Sequence, residues 1–290
     1  MIQPFSTSQS TIHDAYEIIN HSYPIPTPTS TTAQQTHSKL LITCEHASYR
    51  LPPAYDWSEH DLHTHIGTHW SYDIGAELCS KQLSYHTSSI VLLARYSRLF
   101  CDANRMIGDD TMFRNECDGK QVDLNKNITH KEIQVRINQF YIPYHTAIKS
   151  LVQQNQFMTA ISIHSYTAFY ENQIRTVEIG ILYRQARDKL HAEQLCHVYK
   201  QHGYNAQINQ PWSGMNGYMY AVDAIQQYVN NTLMIEYRND LLIQEQWRTN
   251  VINILIKYLY QHKLCIQIDS NKNSTDDTIT DTISTYINNV

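Results

Sequence analysis

No apolar run in this 290-residue chain approaches the roughly 20 residues that cross a bilayer, so a membrane partner is not expected. Basic residues are in the minority, 22 Lys and Arg against 27 Asp and Glu, and no basic tract interrupts the formal charge of −5. That balance argues against a nucleic-acid partner. The N-terminus has neither the basic start nor the apolar core of a secretory signal. The six cysteines stand singly at 44, 79, 101, 117, 196 and 265, which excludes Cys-x-x-Cys and zinc-ribbon motifs. Thiols scattered in this way read as reduced and mostly buried, and the expected compartment is the cytoplasm. Glycine is scarce at 8 residues, and no internal repeat is visible.

What remains is a globular composition, 42% hydrophobic and 17% charged. The length suits one large α/β domain with a well-buried core. Residues 1–38, rich in Ser, Thr, Gln, His and Pro, read as a polar N-terminal extension with a helix around 11–21. Residues 39–266 are expected to form a single hydrolase domain. Residues 267–290 read as a polar tail, with Ile279, Ile283 and Ile287 spaced as in a weak helix.

Within the domain, β-favouring runs at 40–45, 89–94, 98–102, 158–163, 178–183 and 232–236 alternate with helical patterns. The helices are expected at 56–83, at 131–150 with an interruption at Pro143, and at 185–201, 219–229 and 241–260. Loops are expected at 106–126 and 205–220, the first long enough to border a site. The alternation makes the class α/β.

Three strands stop at a residue that can do chemistry. Leu40-Leu41-Ile42-Thr43-Cys44 leads into Glu45-His46, Thr159-Ala160-Ile161-Ser162-Ile163 into His164, and Thr232-Leu233-Met234-Ile235 into Glu236. The carboxyl ends of such strands are where open α/β sheets place their ligands. Two imidazoles and one carboxylate make a common catalytic zinc set that leaves a position for water. His46 and His164 supply the imidazoles. Asp73 is the favoured carboxylate, with His69, on the same face of the expected 56–83 helix, as its rival. Glu45 is a third choice, disfavoured because neighbours on a strand point to opposite sides. Glu236 then suits a general base, and Arg105, preceded by Asn104, suits a clamp on a substrate carboxylate.

Each residue alone has a plain structural role. Any of 16 histidines can be surface or satisfied core, Glu236 could ion-pair with Arg238 or Arg175, and Arg105 could cap a strand–loop junction. Together they point to a metal-dependent hydrolase. A nucleophilic Cys44 is the weaker idea, because no oxyanion-hole signature accompanies it.

Several blocks carry a resemblance. Cys44-Glu45-His46-Ala47-Ser48, His69-Trp70-Ser71-Tyr72-Asp73-Ile74-Gly75-Ala76 and Tyr96-Ser97-Arg98-Leu99-Phe100-Cys101-Asp102-Ala103-Asn104-Arg105 resemble the N-formylglutamate amidohydrolase family. The similarity continues through Pro143-Tyr144-His145, Ser162-Ile163-His164-Ser165-Tyr166-Thr167 and Asn209-Gln210-Pro211-Trp212-Ser213, and closes at Ile235-Glu236-Tyr237-Arg238-Asn239-Asp240-Leu241. The resemblance implies a zinc carboxypeptidase-like, three-layer αβα fold with a mixed, mostly parallel sheet of about eight strands. It implies hydrolysis of an N-formyl or related N-acyl amino acid, a small carboxylated substrate, to the free amino acid and formate. By the same resemblance His46, His164 and Asp73 hold one Zn2+ per chain, and Glu236 is the general base. Asn104 and Arg105 hold the substrate α-carboxylate, and Arg175 and Arg238 are further anionic contacts. Two positions depart from pattern: Tyr49 where a carboxypeptidase carries its acidic ligand, and Asp223 where a histidine is expected, which bears on the pocket. The neighbouring readings are an aspartoacylase-like deacylase, a small-peptide metallopeptidase, or a non-catalytic binding protein for a carboxylated ligand.

Overall fold

A run such as Leu40 to Cys44, buried at every position, forms a strand only where helices cover both faces of its sheet. The computed structural model describes residues 9–21, 38–170 and 172–265. The expected helix at 279–287 and most of both polar tails lie outside them. The strands are β1 (Gln9–Ile12), β2 (Tyr16–Asn20), β3 (Leu40–Cys44), β4 (Ile90–Ala94), β5 (Glu116–Cys117), β6 (Lys120–Gln121), β7 (Thr159–Tyr166), β8 (Phe169–Tyr170), β9 (Gln173–Ile174), β10 (Ile179–Leu182), β11 (Ala206–Ile208) and β12 (Asn231–Arg238). The α-helices are α1 (Glu59–Thr64), α2 (Ala76–Thr87), α3 (His130–Arg136), α4 (Ile142–Gln154), α5 (Lys189–Gln201), α6 (Tyr220–Asp223), α7 (Asn239–Leu242) and α8 (Glu245–Gln261).

Eight strands form one mixed sheet in the order β1-β2-β4-β3-β7-β12-β10-β11. The central four, β4, β3, β7 and β12, run parallel, and four of the seven pairings are parallel. Side chains alternate between two apolar layers. Leu40, Ile42, Val91, Leu93, Ile161, Ile163 and Ile235 pack with α2, α5 and α8. Leu41, Leu92, Ala160 and Met234 pack on the opposite side with α4 and the turn around Phe100. This is the expected αβα arrangement. Ser162, His164 and Glu236 follow the parity of Ala160 and Met234, so they share the second face, and Glu236 pairs in register with His164.

Several local expectations fail for identifiable reasons. Residues 11–21 form no helix: β1 and β2 make a hairpin, and β2 pairs antiparallel with β4. The open backbone edge of β4 requires partners, and Ile18-Ile19 suits that place. The helix expected over 56–83 is broken into α1 and α2, because Gly67 and Gly75 adopt φ of 78° and 86°. Asp73 therefore lies in the turn before α2 and shares no helix face with His69; its amide donates to the His46 carbonyl at 2.9 Å. Residues 98–102 form turns closed by the Ser97 carbonyl, not a strand. The 205–220 loop contains β11, whose parallel partner is β10, and the 219–229 helix shrinks to α6. The Pro143 interruption is mild: a π-helical turn at Ile137–Tyr141 joins α3 to α4, and Pro143 falls in the first turn of α4.

Buried Arg136 of α3 ties the loop of 98–125 to the domain. It donates to the carbonyls of Phe100 and Leu124, to Asn125 Oδ1 and to Glu132. Arg136→Leu leaves three buried acceptors without donors, so a loss on the order of 3 kcal/mol is expected in urea unfolding.

Candidate active site

Strand register, two turns and one loop bring the polar groups together. β7 carries His164 two residues before its end, and β12 places Glu236 beside it. Beyond β3, Glu45 and His46 enter a turn, where strand alternation no longer separates them. The turn before α2 delivers Asp73, and the one after Phe100 delivers Asp102. Glu45, His46, Asp73, Asp102, His164 and Glu236 are all buried, at 3% exposure or less.

Asp73 Oδ2 lies 2.7 Å from His164 Nδ1 and 3.4 Å from His46 Nδ1, and Ser165 N donates to it at 3.2 Å. The far nitrogen of each ring meets a carboxylate. His46 Nε2 is 2.7 Å from Asp102 Oδ1, and His164 Nε2 is 2.8 Å from Glu45 Oε2. Ionised carboxylates only accept, so each Nε2–H donates to its own carboxylate; with an ion in the shared centre, each Nδ1 would offer that ion its lone pair in place of a proton shared with Asp73. Ser162 and Tyr144 also donate to Glu45, and Arg98 bridges Asp73 to Asp102.

Charge fits a cation here. Burial alone would raise every one of these carboxyl groups, yet their partners prevail at three of them. His164 and Ser162 hold Glu45 down at about 2. Asp73 lies below the usual carboxylate range because of His46 and His164. Asp102 lies well below it, because of His46, Arg98 and Arg105. Three fixed negative charges thus face one bridging guanidinium, an excess that a dication balances. Without one, His164 takes up the proton: burial opposes its charge, but Asp73 and Glu45 push it up to about 10. The donor atoms of His46, Asp73 and His164 lie within 4.8 Å of one another, so these residues could hold a divalent ion, and their N/O character suits zinc.

Glu236 is the exception among the acids. Burial and the nearby Asp73 charge raise it to about 7 against His164, His46 and Arg98. Trp212 Nε1 donates to Oε1 at 3.2 Å, while Oε2 is buried with no partner. No ion pair to Arg238 or Arg175 satisfies it among the described residues.

His46, Asp73, His164 and Glu236 line a cavity of about 250 Å³ with Arg98, Asn104, Arg105, Arg114, Arg175, Trp212 and Tyr218. Arg105 is held by Thr111 Oγ1 and the Asn104 carbonyl, with its guanidinium 5.3 Å from the Tyr218 ring centre. The Asn104 amide is engaged with backbone, donating to the Tyr218 carbonyl and accepting from Ala221 N, so it pins the 218–221 segment. Arg175 stacks on Tyr170 at 4.5 Å and near Trp212. Arg238 is not among the lining residues; it pairs with Asp240. Asp223 is outside the lining too, bonded to Arg184 at 2.8 Å, so the departure from pattern there does not touch the cavity. His69 lies on the wall beside Trp70 but outside the three-residue cluster, and Glu45 serves His164 from behind. All six cysteines are free and buried. Burial, with Asp73 and Glu45 nearby, raises the Cys44 thiol well above its ordinary value, the wrong direction for a nucleophile.

Sequence reasoning missed Asp102, Arg98 and Arg114. Asp102 and Arg98 stand in the same block as Asn104 and Arg105, and their i,i+4 spacing was the available signal. Arg114 had none: it reaches the wall only because its loop folds back, with its guanidinium 5.4 Å from the Trp70 ring centre.

The αβα domain sets a buried His-Asp-His cluster and an arginine-lined wall at the carboxyl edge of its parallel strands. The model of the N-formylglutamate amidohydrolase family matches residues 38–243, more than half of the chain, and the protein belongs to that family of hydrolases acting on an amide. Two solved structures share the fold. The gene product Atu2144 of Agrobacterium tumefaciens is 24% identical over 79% of this chain and 93% of its own, with a TM-score of 0.70. The N-formylglutamate amidohydrolase of Ralstonia eutropha is 16% identical over 87% and 99%, with a TM-score of 0.62. No curated protein matches the chain significantly. Among the described residues no helix is long and apolar enough to cross a membrane.

Burial favours the neutral form of Glu236, so its contribution to stability is intact below the ordinary value of 4.5 and is lost as pH rises through about 7. Glu236→Gln removes that cost. In the metal-free protein it should raise stability at pH 8 by on the order of 2 kcal/mol and change it little near pH 4.5, as read by urea unfolding at the two pH values.

Proposed function

We propose that this protein is a divalent metal-dependent amidohydrolase that removes the formyl, or a closely related acyl, group from an N-acyl amino acid such as N-formylglutamate. The observation that carries the reading is the buried, unpartnered Oε2 of Glu236, a carboxylate raised to about 7 beside the His46-Asp73-His164 cluster. A general base works best with a value near the operating pH. His46, Asp73 and His164 would hold the ion, with zinc the metal their donors favour. The ion, when bound, polarises the amide carbonyl and acidifies water.

The residues of the chain supply the rest. Glu236 Oε2 takes the proton of the attacking water while Oε1 stays fixed by Trp212. The same carboxyl then returns the proton to the leaving amine. Arg105 holds the α-carboxylate in a bidentate fork, which sets the amide carbon over the cluster. Neither Arg105 nor Arg114 has a carboxylate within salt-bridge distance among the described residues, and both line the cavity with Arg175. Burial and the charges of Arg98 and Arg105 lower the Arg114 value, so this wall favours an incoming anion. Two such positions suit an amino acid with a second carboxylate, which supports glutamate over a neutral amino acid. The small cavity supports a single amino acid over a longer peptide. The compartment proposed is the cytoplasm.

Glu236→Gln should retain the metal, measured by elemental analysis, while kcat on N-formylglutamate falls at least 100-fold; near-normal turnover would remove Glu236 from this role. Arg105→Ala should mainly raise KM for every carboxylated substrate. Arg114→Ala should raise KM about tenfold for N-formylglutamate and leave N-formylalanine nearly unchanged. A panel of formyl-, acetyl- and succinyl-amino acids against dipeptides fixes the acyl group.

A further inference from the structure

Helix α1 carries a second group of donors that plays no part in the site above. His60, Asp61 and His65 each offer a ligand atom, all within 4.8 Å of one another. Asp61 and His65 are buried, and His60 is exposed. The two rings converge on one atom: His60 Nε2 lies 3.1 Å and His65 Nε2 2.9 Å from the carbonyl oxygen of Gln121 at the end of β6. Asp61 Oδ1 is 3.9 Å from His65 Nε2. Its carboxylate is already oriented from behind, since it accepts from Asp123 N at 2.9 Å and from Leu124 N at 2.8 Å.

The geometry points to a second divalent-cation site, made by His60 Nε2, His65 Nε2, an Asp61 oxygen and the Gln121 carbonyl. A tetrahedral zinc with bonds of about 2.0–2.2 Å sets its ligands about 3.3 Å apart. The observed separations of 2.9, 3.1 and 3.9 Å straddle that value. In the metal-free chain the two Nε2–H groups donate to the carbonyl. On binding, each imidazole moves its proton from Nε2 to Nδ1 by exchange with solvent, with no net proton released, and the freed Nε2 nitrogens, the carboxylate and the same carbonyl turn to the ion. Two imidazoles favour Zn2+ over Ca2+ or Mg2+, and the exposed edge of His60 gives the ion its way in. The two amides behind Asp61 do for it what a hydrogen-bonded outer partner does for any ligating carboxylate.

The position gives the site a consequence. Gln121 ends the β5–β6 hairpin, and Asp118 in that hairpin accepts from Trp70 Nε1 at 2.8 Å. Trp70 lines the catalytic cavity under Arg114. An ion joining α1 to Gln121 therefore clamps the wall that carries Arg114, without touching the reacting groups.

Zn2+ binding separates this site from the catalytic one. Metal-free full-length chain is titrated with Zn2+ alone by calorimetry, as wild type, His60→Ala and His46→Ala. The expected result is a Zn2+ equivalent that His46→Ala keeps and whose affinity falls at least tenfold in His60→Ala. Because His60 is exposed, that variant should fold, which circular dichroism checks. If no Zn2+ equivalent depends on His60, the proposal is overturned, however many ions bind elsewhere. If only the His60-dependent equivalent appears, this site stands and the metal-dependent reading of the catalytic cluster fails.

Discussion

The centre of the molecule is an uncompensated charge. Three carboxylates are kept ionised in a buried place, where burial alone would drive them neutral, and two imidazoles and one guanidinium are arranged to hold them so. Around this group the central strands stop, the turns of His46 and Asp73 lock backbone to backbone, and Arg98 bridges two acids at once. Such a cluster is costly unless something cationic completes it. Completing it with a divalent ion leaves both imidazole lone pairs in use and returns the proton that His164 otherwise carries.

Glu236 is built by the opposite logic. It shares the sheet face and the burial of the others but lacks their partners, so its proton is loosely held near neutrality. One residue pair in register, Glu236 beside His164, thus sets an acid raised to about 7 next to a group of fixed anions. Placing both on neighbouring paired strands fixes their separation.

The cavity wall has a different origin. Its arginines come from turns and loops that the helical layer pins in place: Arg136 holds the loop of 98–125, and Asn104 holds the 218–221 segment. Asn104 therefore acts on the pocket through backbone, although its position beside Arg105 suggests direct substrate contact. Arg238 shows the converse, since its neighbour Asp240 takes up its guanidinium before it can reach the cavity.

Strand-ending chemistry at His46, His164 and Glu236 was legible from the chain, because buried β-runs are continuous in sequence and their end residues stand out against them. The family resemblance and the α/β class were legible for the same reason. Residues 11–21 and the helical setting of Asp73 were read wrongly: a helical period in a short polar segment says nothing about an unpaired strand edge, and glycines in the left-handed region break a helix that spacing would extend. Arg114, the carboxylates behind each imidazole and the separation of Arg238 from the cavity could come only from the folded chain. Local pattern states which residues are apolar and which are charged. Which charge faces which depends on contacts between segments far apart along the chain, and those are settled by burial and partner satisfaction in three dimensions.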